Sequence, residues 1–195
     1  MSTERTRTVG ILAFDAMEVL DFAGPYEVFN VAAEAGAPFA VQAIGTGPGP
    51  VIARGGLTVL PPVSLADAAT PDILVVPGGA GTRPLLHDDA VLDWVRQAAP
   101  RAELVLSVCT GALVLAAAGV LDDTRATTHH HAFGELAALA PRVEVVAGQR
   151  FVRNSDRVWT SGGISAGIDL AQHIVGLLAG EQVKAKVIEE MEWLW

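Results

Sequence analysis

Cysteine is nearly absent from this sequence, since Cys109 is the only one among 195 residues. A lone thiol cannot form an internal disulfide, so the chain is not a disulfide-stapled extracellular scaffold. This suits a reducing compartment, and we expect a cytoplasmic protein. The scarcity also makes Cys109 conspicuous, because the residue is either a small packing group or the reactive centre of the molecule.

Long hydrophobic runs are also missing. The longest apolar run, residues 112–120, falls far short of the roughly 18 to 20 uncharged residues that a membrane-spanning helix needs. The first ten residues, MSTERTRTVG, lack the pattern of a secretory signal. We therefore expect no association with a membrane.

Positive charge is scarce, because 13 Lys and Arg face 22 Asp and Glu, for a net charge of −9. No dense basic cluster offsets this balance, and binding to nucleic-acid phosphates needs a basic face. Nucleic acid is therefore not an expected partner. No repeat, low-complexity segment or linker interrupts the chain, so we interpret residues 1–195 as a single domain.

Short apolar runs alternate along the chain with longer amphipathic or alanine-rich runs. The predicted strands are TVGILAF, FAVQAIG, DILVVPGG, AELVLSV, VEVVAG, RFVRN and RVWTSGG, and PVIARGGLTVLPP predicts a short hairpin that turns at Gly55-Gly56. The predicted helices are GPYEVFNVAAEAG, DDAVLDWVRQAA, TGALVLAAAG, SAGIDLAQHIVGLLAG and EQVKAKVIEEMEWL. Pro25 suits the first turn of the first helix, and Gly36 suits its C-cap. The alternation indicates a layered α/β fold with a mostly parallel sheet.

Cys109 lies where a predicted strand passes directly into a helix, in LVLSVCTGALVLAAAG. Reactive groups in open α/β sheets gather at the carboxyl ends of strands. A sharp turn at this point, with Gly111 two residues later, has the geometry of a nucleophile elbow. Unpaired N–H groups at the start of the helix favour the thiolate. A free cysteine is also often only a buried packing residue, so this stretch alone leaves both interpretations open.

Two other stretches can reach the same crevice. In VVPGGAG, glycines follow a buried strand, and their N–H groups together with that of Thr110 can stabilise a developing negative charge, although a plain glycine turn fits equally. In DAMEVLDFAGPYEVF, Asp15, Glu18 and Asp21 lie between the first strand and the first helix. Asp21 is either a helix cap or a proton donor beside the thiol, and the local pattern favours the cap.

The run TTHHHAF, with histidines at residues 129–131, suggests a metal site. Adjacent residues on a strand or helix point in different directions, however, and a metal needs ligands that converge on one point. Only His87 and His173 remain elsewhere, and no cysteine pair is present. We therefore expect no metal, and His129 can instead border the Cys109 crevice.

Four stretches, in this order, resemble the ThiJ/PfpI family: GILAFDAMEVLDFAGPYEVF, ILVVPGG, SVCTGALVLAAAGVLDDTRATTHH and VWTSGGISAGIDLAQHIV. The likeness covers nearly the whole chain and is greatest for the branch that hydrates isonitriles. The sensing domains of some AraC-type transcription regulators are also similar. The resemblance implies a flavodoxin-like α/β/α three-layer sandwich with a nucleophile elbow, usually as a homodimer. The apolar terminus MEWLW is consistent with packing on a partner subunit or on the core.

The resemblance also implies roles for individual residues. Cys109 is then the elbow nucleophile, and Asp21 is the acid that the family places against the thiol. Thr110 follows the cysteine and belongs to the site. Gly78 and Gly79 match the family's glycine amides near the thiol. This implication reverses the local preference for Asp21 as a cap.

Departures from other branches narrow the expected chemistry. Peptidase-like members carry histidine directly after the cysteine, where this chain has Thr110. Related glutamine amidotransferases need a His-x-Glu pair, where this chain has TSGGISAGID. Neither protease chemistry nor ammonia release is therefore expected. Hydratase-like sequences more often have an aromatic residue after TTH, where this chain has a second histidine.

The expected activity is hydration of a small isonitrile to an N-substituted formamide. It would proceed through a Cys109 thioimidate, with Asp21 as acid and base and with no metal or organic cofactor. The crevice should be largely apolar, with Phe22 and Ile164 among its lining residues. Two alternatives stay open: a thiol enzyme acting on glyoxals, which usually has glutamate in place of Asp21, and a non-enzymatic domain that senses a small molecule.

Overall fold

A seven-stranded sheet forms the centre of the computed structural model, which describes residues 5–121 and 124–193. The strands are β1 (Arg7–Ala13), β2 (Phe39–Gly45), β3 (Val51–Ile52), β4 (Thr58–Val59), β5 (Val63–Ser64), β6 (Ile73–Val76), β7 (Leu104–Ser107), β8 (Arg125–Ala126), β9 (Glu144–Val145), β10 (Phe151–Arg153) and β11 (Val158–Ser161). The order in the main sheet is β10-β11-β7-β6-β1-β2-β5. Its pairings are parallel except for the antiparallel edge pair β10–β11, so the predicted mostly parallel sheet is confirmed.

Helices cover both faces of this sheet. They are α1 (Val19–Glu34), α2 (Thr82–Leu85), α3 (Asp89–Ala98), α4 (Gly111–Ala117), α5 (Phe133–Leu139), α6 (Ala166–Ala179) and α7 (Glu181–Glu190). Helices α1, α6 and α7 pack together, while α2 to α5 form a second group. Across the sheet, the step from β1 to β2 runs in the opposite direction to the step from β6 to β7. Because both crossovers are right-handed, their helices lie on opposite faces of the sheet. This is the predicted α/β/α sandwich.

The central strands read as continuous apolar runs because both of their faces are buried. In β6 all four residues are fully buried, and in β7 the exposed fraction is at most 4%. Helix α4 packs against both strands, and the amphipathic helix α3 packs beside α4. Asp88 caps the start of α3 by accepting hydrogen bonds from the N–H groups of Ala90 and Val91. Within the described residues, no helix is both long enough and apolar enough to cross a membrane.

The order of the strands places the site. From β1 the chain runs outward to β2 and β5, then returns to β6 on the other side of β1 and continues outward to β7 and β11. Ligands of open α/β folds bind outside the carboxyl ends of the strands near such a reversal. The loops after β1, β6, β7 and β11 all open at this edge of the sheet.

The first helix is longer than the sequence predicts. It begins at Val19 rather than near Gly24, so Asp21 and Phe22 lie in the helix and not in a preceding loop. Pro25 therefore lies inside the helix and not in its first turn. The lack of an N–H group on Pro25 removes one helical bond, to the carbonyl of Asp21. The predicted helix end is confirmed, because Gly36 follows the last turn with φ of 98°.

Other differences concern short elements. The predicted hairpin is confirmed as β3 and β4, with Gly55 and Gly56 at positive φ. VEVVAG contributes only a two-residue strand, β9, that pairs with β8 outside the main sheet. The last helix ends at Glu190, not at residue 194, and residues 194 and 195 lie outside the described chain. Trp193 donates its indole N–H to Asp169 of α6 at 3.1 Å, so this part of the terminus packs on the molecule itself.

Candidate active site

Cys109 occupies a strained turn between β7 and α4. Its φ is 55°, in the left-handed region that residues with a side chain rarely adopt. The backbone N–H of Cys109 donates to the carbonyls of Ser161 (3.2 Å) and Gly162 (3.1 Å), and its carbonyl accepts the hydroxyl of Thr128 at 2.7 Å. Neighbouring segments thus hold the turn from both sides. The predicted nucleophile elbow is present.

Gly111 explains how the helix can follow the strand so closely. A Cβ at this position would overlap the carbonyl oxygen of Val76 at the end of β6. Any larger residue would therefore push α4 away from the sheet and displace the turn. The small residues around Cys109 are required by this close approach of the helix to the sheet.

Asp21 reaches the elbow from α1 and is fully buried. Its Oδ2 accepts the backbone N–H of Gly78 at 3.1 Å, and its Oδ1 accepts the backbone N–H of Ile164 at 3.0 Å. A side-chain hydrogen bond joins it to Cys109. Asp21 therefore does not cap its helix, whose N-cap residue Glu18 makes no side-chain capping bond either. Both carboxylate oxygens are fixed by groups outside the helix, and the carboxyl contacts the thiol.

Burial dominates the titration of this pair. Desolvation raises the pKa of Asp21 from 3.8 to about 7, although hydrogen bonds from Cys109 and Gly78 favour its charged form. Burial, together with the charge of Asp21, raises the pKa of the Cys109 thiol to about 12. The N–H of Thr110 at the helix start lowers the thiol pKa, but by less than burial raises it. The helix start therefore does not make Cys109 a thiolate. At neutral pH the thiol keeps its proton unless Asp21 accepts it.

The glycine amides of PGG have partners already. Gly78 N–H holds Asp21, and Gly79 N–H donates to Thr110 Oγ1 at 2.9 Å. Thr82 donates to the Gly79 carbonyl at 2.8 Å and lies 3.3 Å from Thr110 Oγ1. The two glycines therefore position the carboxylate and the hydroxyl, and the Thr110 N–H is the amide that faces the Cys109 sulfur.

Gly78 has no room for a side chain. A Cβ there would lie 2.8 Å from Asp21 Oδ2 and 2.8 Å from the Cβ of Cys109. The glycine thus allows the carboxylate and the thiol to come into contact at the carboxyl end of β6. Gly79 has φ of 126°, a conformation that favours glycine.

The thiol opens into a cleft of ≈ 260 Å³. The cleft is lined by Glu18, Arg54, Gly79, Ala80, Arg83, Cys109, Thr110, His129, His131, Ala132 and Ile164. Glu18 pairs with Arg54 at 2.5 Å, and Arg83 pairs with Glu135 at 2.7 Å. The rim therefore carries two charged pairs. Most of the exposed lining surface of the cleft is nevertheless apolar, as expected.

Ile164 and Phe22 differ in their position relative to the cleft. Ile164 lines it, is 38% exposed and has φ of 57°, while its N–H holds Asp21. Phe22 is 8% exposed and stacks on Tyr26 with ring centroids 5.7 Å apart. It is not among the described residues that line the cleft. The reason is the earlier start of α1, which turns Phe22 into the packing interface of the helix.

The histidine run forms a compact group beside the same cleft. Residues 129–131 place one imidazole donor atom each within 4.8 Å of one another. Burial lowers the pKa of His129, and the charges of His130, His131 and Arg83 lower it further. The assumption that adjacent side chains must diverge is wrong here, because His129 is extended and the next two residues form a 3₁₀ turn.

The family model described as the DJ-1/PfpI family matches residues 7–177. The chain belongs to the DJ-1/PfpI family. An isonitrile hydratase of Pseudomonas putida is 38% identical over 183 residues, which cover 92% of this chain and 77% of that protein. A ThiJ/PfpI family protein from Pseudomonas syringae matches with a TM-score of 0.88 at 25% identity, over 97% of this chain and 76% of the other. Drosophila melanogaster DJ-1beta matches with a TM-score of 0.84 at 22% identity, over 97% and 100% of the two chains, and shows the same fold.

Several residues of this DJ-1/PfpI site are not evident from the sequence. Arg54 comes from the hairpin, and Thr82 and Arg83 come from the short helix α2. None lies in a recognisable motif. The fold brings Arg54 and Arg83 to the cleft and Thr82 against Thr110. One signal is visible in the backbone alone: Ala16, Cys109 and Ile164 have positive φ without being glycine and lie in the loops that surround the cleft. Strained residues of this kind cluster at functional sites.

Proposed function

We propose that this DJ-1/PfpI protein hydrates a small isonitrile, R–N≡C, to the N-substituted formamide, R–NH–CHO. The observation that carries the proposal is the contact between the Cys109 thiol, held in a strained elbow, and the fully buried Asp21 carboxyl. The 38% identity to an isonitrile hydratase over 92% of the chain supports the choice of substrate class.

In the first step, the Asp21 carboxylate accepts the thiol proton while the sulfur bonds to the terminal carbon of the isonitrile. Asp21 then delivers the same proton to that carbon, which gives the thioimidate R–N=CH–S–Cys109. A thiol with a pKa of about 12 needs such a base, and a carboxyl with a pKa of about 7 both accepts and returns a proton near neutrality. The pair carries out this step with one shared proton.

In the second step, Asp21 removes a proton from water as the oxygen attacks the thioimidate carbon, and the proton passes to the substrate nitrogen. The intermediate R–NH–CH(OH)–S–Cys109 then loses its hydroxyl proton to Asp21 and expels the thiolate, which gives the formamide. The Thr110 N–H and hydroxyl lie where they can donate to the departing sulfur. Return of the proton to sulfur restores the resting pair.

The polar rim bears on which substituent R is accepted. Arg83 reaches the Gly79 carbonyl at 3.3 Å, and the Glu18–Arg54 pair lies among the lining residues. A substituent R that extends from the reacting carbon toward this rim meets hydrogen-bonding groups. We therefore expect small isonitriles with a polar substituent to be turned over at least as well as cyclohexyl isocyanide.

The direct test is formamide production from cyclohexyl isocyanide and a panel of small isonitriles, some with hydroxyl or carboxyl substituents. The wild type should produce formamide, and Cys109→Ala and Asp21→Asn should not. Glu27→Gln is the matched control for Asp21→Asn, because Glu27 is an exposed acid on the same helix. It should keep the wild-type rate.

A methylglyoxal assay run in parallel separates the other thiol chemistry. A folded wild type that turns over methylglyoxal and no isonitrile would overturn the hydratase proposal. Full activity in Asp21→Asn would remove Asp21 from the mechanism and leave it a structural role only. Circular dichroism of each variant identifies those that fail to fold.

A further inference from the structure

We propose that His129, His130 and His131 form a binding site for a first-row transition metal ion at the mouth of the Cys109 cleft. The inference goes beyond the hydration reaction, whose steps use none of these residues. It depends on the placement of three imidazoles by one short turn.

The turn brings the rings together. Thr128 is tied to Cys109 by its hydroxyl, so the run begins next to the elbow. The ring centroids are 4.3 Å apart for His129 and His130, 4.0 Å for His130 and His131, and 5.0 Å for His129 and His131. Three imidazole rings therefore face one small volume.

The remaining rearrangement is small. Ligand nitrogens around a tetrahedral ion with bonds of about 2.0–2.1 Å are about 3.3 Å apart, and here the donor atoms lie within 4.8 Å. His130 and His131 are exposed, so their side chains can rotate without displacing the core. The backbone N–H of His131 donates to His129 Nδ1 at 3.3 Å, a long bond that metal binding gives up at little cost.

The donor set selects the class of ion. Three imidazole nitrogens suit Zn²⁺, Cu²⁺, Ni²⁺ or Co²⁺, whereas Mg²⁺ and Ca²⁺ prefer oxygen ligands. Three protein ligands leave a coordination position open, as in catalytic rather than structural zinc sites. His129 and His131 both line the cleft, so a bound ion would lie at its edge.

Binding of Zn²⁺ and Co²⁺ alone, measured by isothermal titration calorimetry, tests the site. One ion per chain should bind to the wild type, and His130→Gln and His131→Gln should each weaken binding at least about tenfold. His87→Gln is the matched control, because His87 is exposed and distant in sequence, and it should leave the affinity unchanged. Cys109→Ala should also retain the site.

Cobalt absorption gives an independent readout. The expected spectrum shows d–d bands without the sulfur-to-cobalt charge-transfer band that coordination by Cys109 would produce. Three results would each overturn the proposal: no binding by the folded wild type, wild-type affinity in both histidine variants, or loss of binding in Cys109→Ala. None of these measurements requires turnover, so they stand apart from the test of hydratase activity.

Discussion

Asp21→Asn should make the protein's stability less sensitive to pH between about pH 4 and 7. The native carboxyl is fully buried, and burial is the largest cause of its raised pKa. A buried carboxylate is costly unless it takes up a proton. The native state therefore holds a proton on Asp21 over a range in which the unfolded chain has released it.

The magnitude follows from the two titration points. The pKa of Asp21 rises from 3.8 in a free carboxyl to about 7 in the folded protein. Within that window the folded state binds one more proton than the unfolded state, so stability falls as pH rises, by about 1.4 kcal/mol per pH unit. Over roughly three units the loss is about 4 kcal/mol. Asparagine does not ionise and therefore does not incur this loss.

Urea unfolding of wild type and Asp21→Asn at several pH values from about 4 to 8, followed by tryptophan fluorescence, measures the difference. Asparagine has one acceptor oxygen in place of two, so it cannot accept both the Gly78 and Ile164 N–H groups. This loss lowers the free energy of unfolding of the variant by an amount that does not vary with pH. The variant should therefore gain about 4 kcal/mol relative to wild type as pH rises across the window. Parallel stability curves would refute the argument that burial of Asp21 sets its titration.

Three further outcomes follow from the site. Alkylation of Cys109 by iodoacetamide should keep accelerating with pH well above neutrality, and Asp21→Asn should accelerate it at about pH 8, because removing the carboxylate lowers the thiol pKa. Thr110→Val should slow formamide production about a hundredfold, and Thr110→Ser should recover most of the rate, because a hydroxyl donor is restored. Gly111→Ala should lower the free energy of unfolding by about 3 kcal/mol in urea melts, whereas Gly134→Ala, in open space on α5, should raise it by about 0.5–1 kcal/mol.

The elbow was predictable because its signals are local. An apolar strand, a lone cysteine, a nearby glycine and an alanine-rich helix are contiguous in the sequence, and the structure joins them as β7, Cys109 and α4. The mostly parallel sheet was predictable for a similar reason, since buried central strands must be apolar throughout. The edge strand β10 was predicted from RFVRN, but its antiparallel direction left no distinct local signal.

The position of Asp21 was harder to predict. Pro25 read as the start of a helix, yet the helix begins a turn and a half earlier, and tertiary contacts with Gly78 and Ile164 fix the carboxyl. The residues that make the rim polar, Arg54 and Arg83, lie on short elements far from the cysteine in sequence. Only the closure of the fold brings them to the thiol, so no local pattern could reveal them.

Covalent addition of Cys109 to the substrate is the central claim, and mass spectrometry of acid-quenched reactions tests it most directly. Wild type mixed with excess cyclohexyl isocyanide should carry the mass of one isonitrile on the peptide that contains Cys109, while formamide accumulates. Cys109→Ala should show neither the adduct nor the product. Formamide production by Cys109→Ala at the wild-type rate, with no adduct on the native protein, would contradict the account.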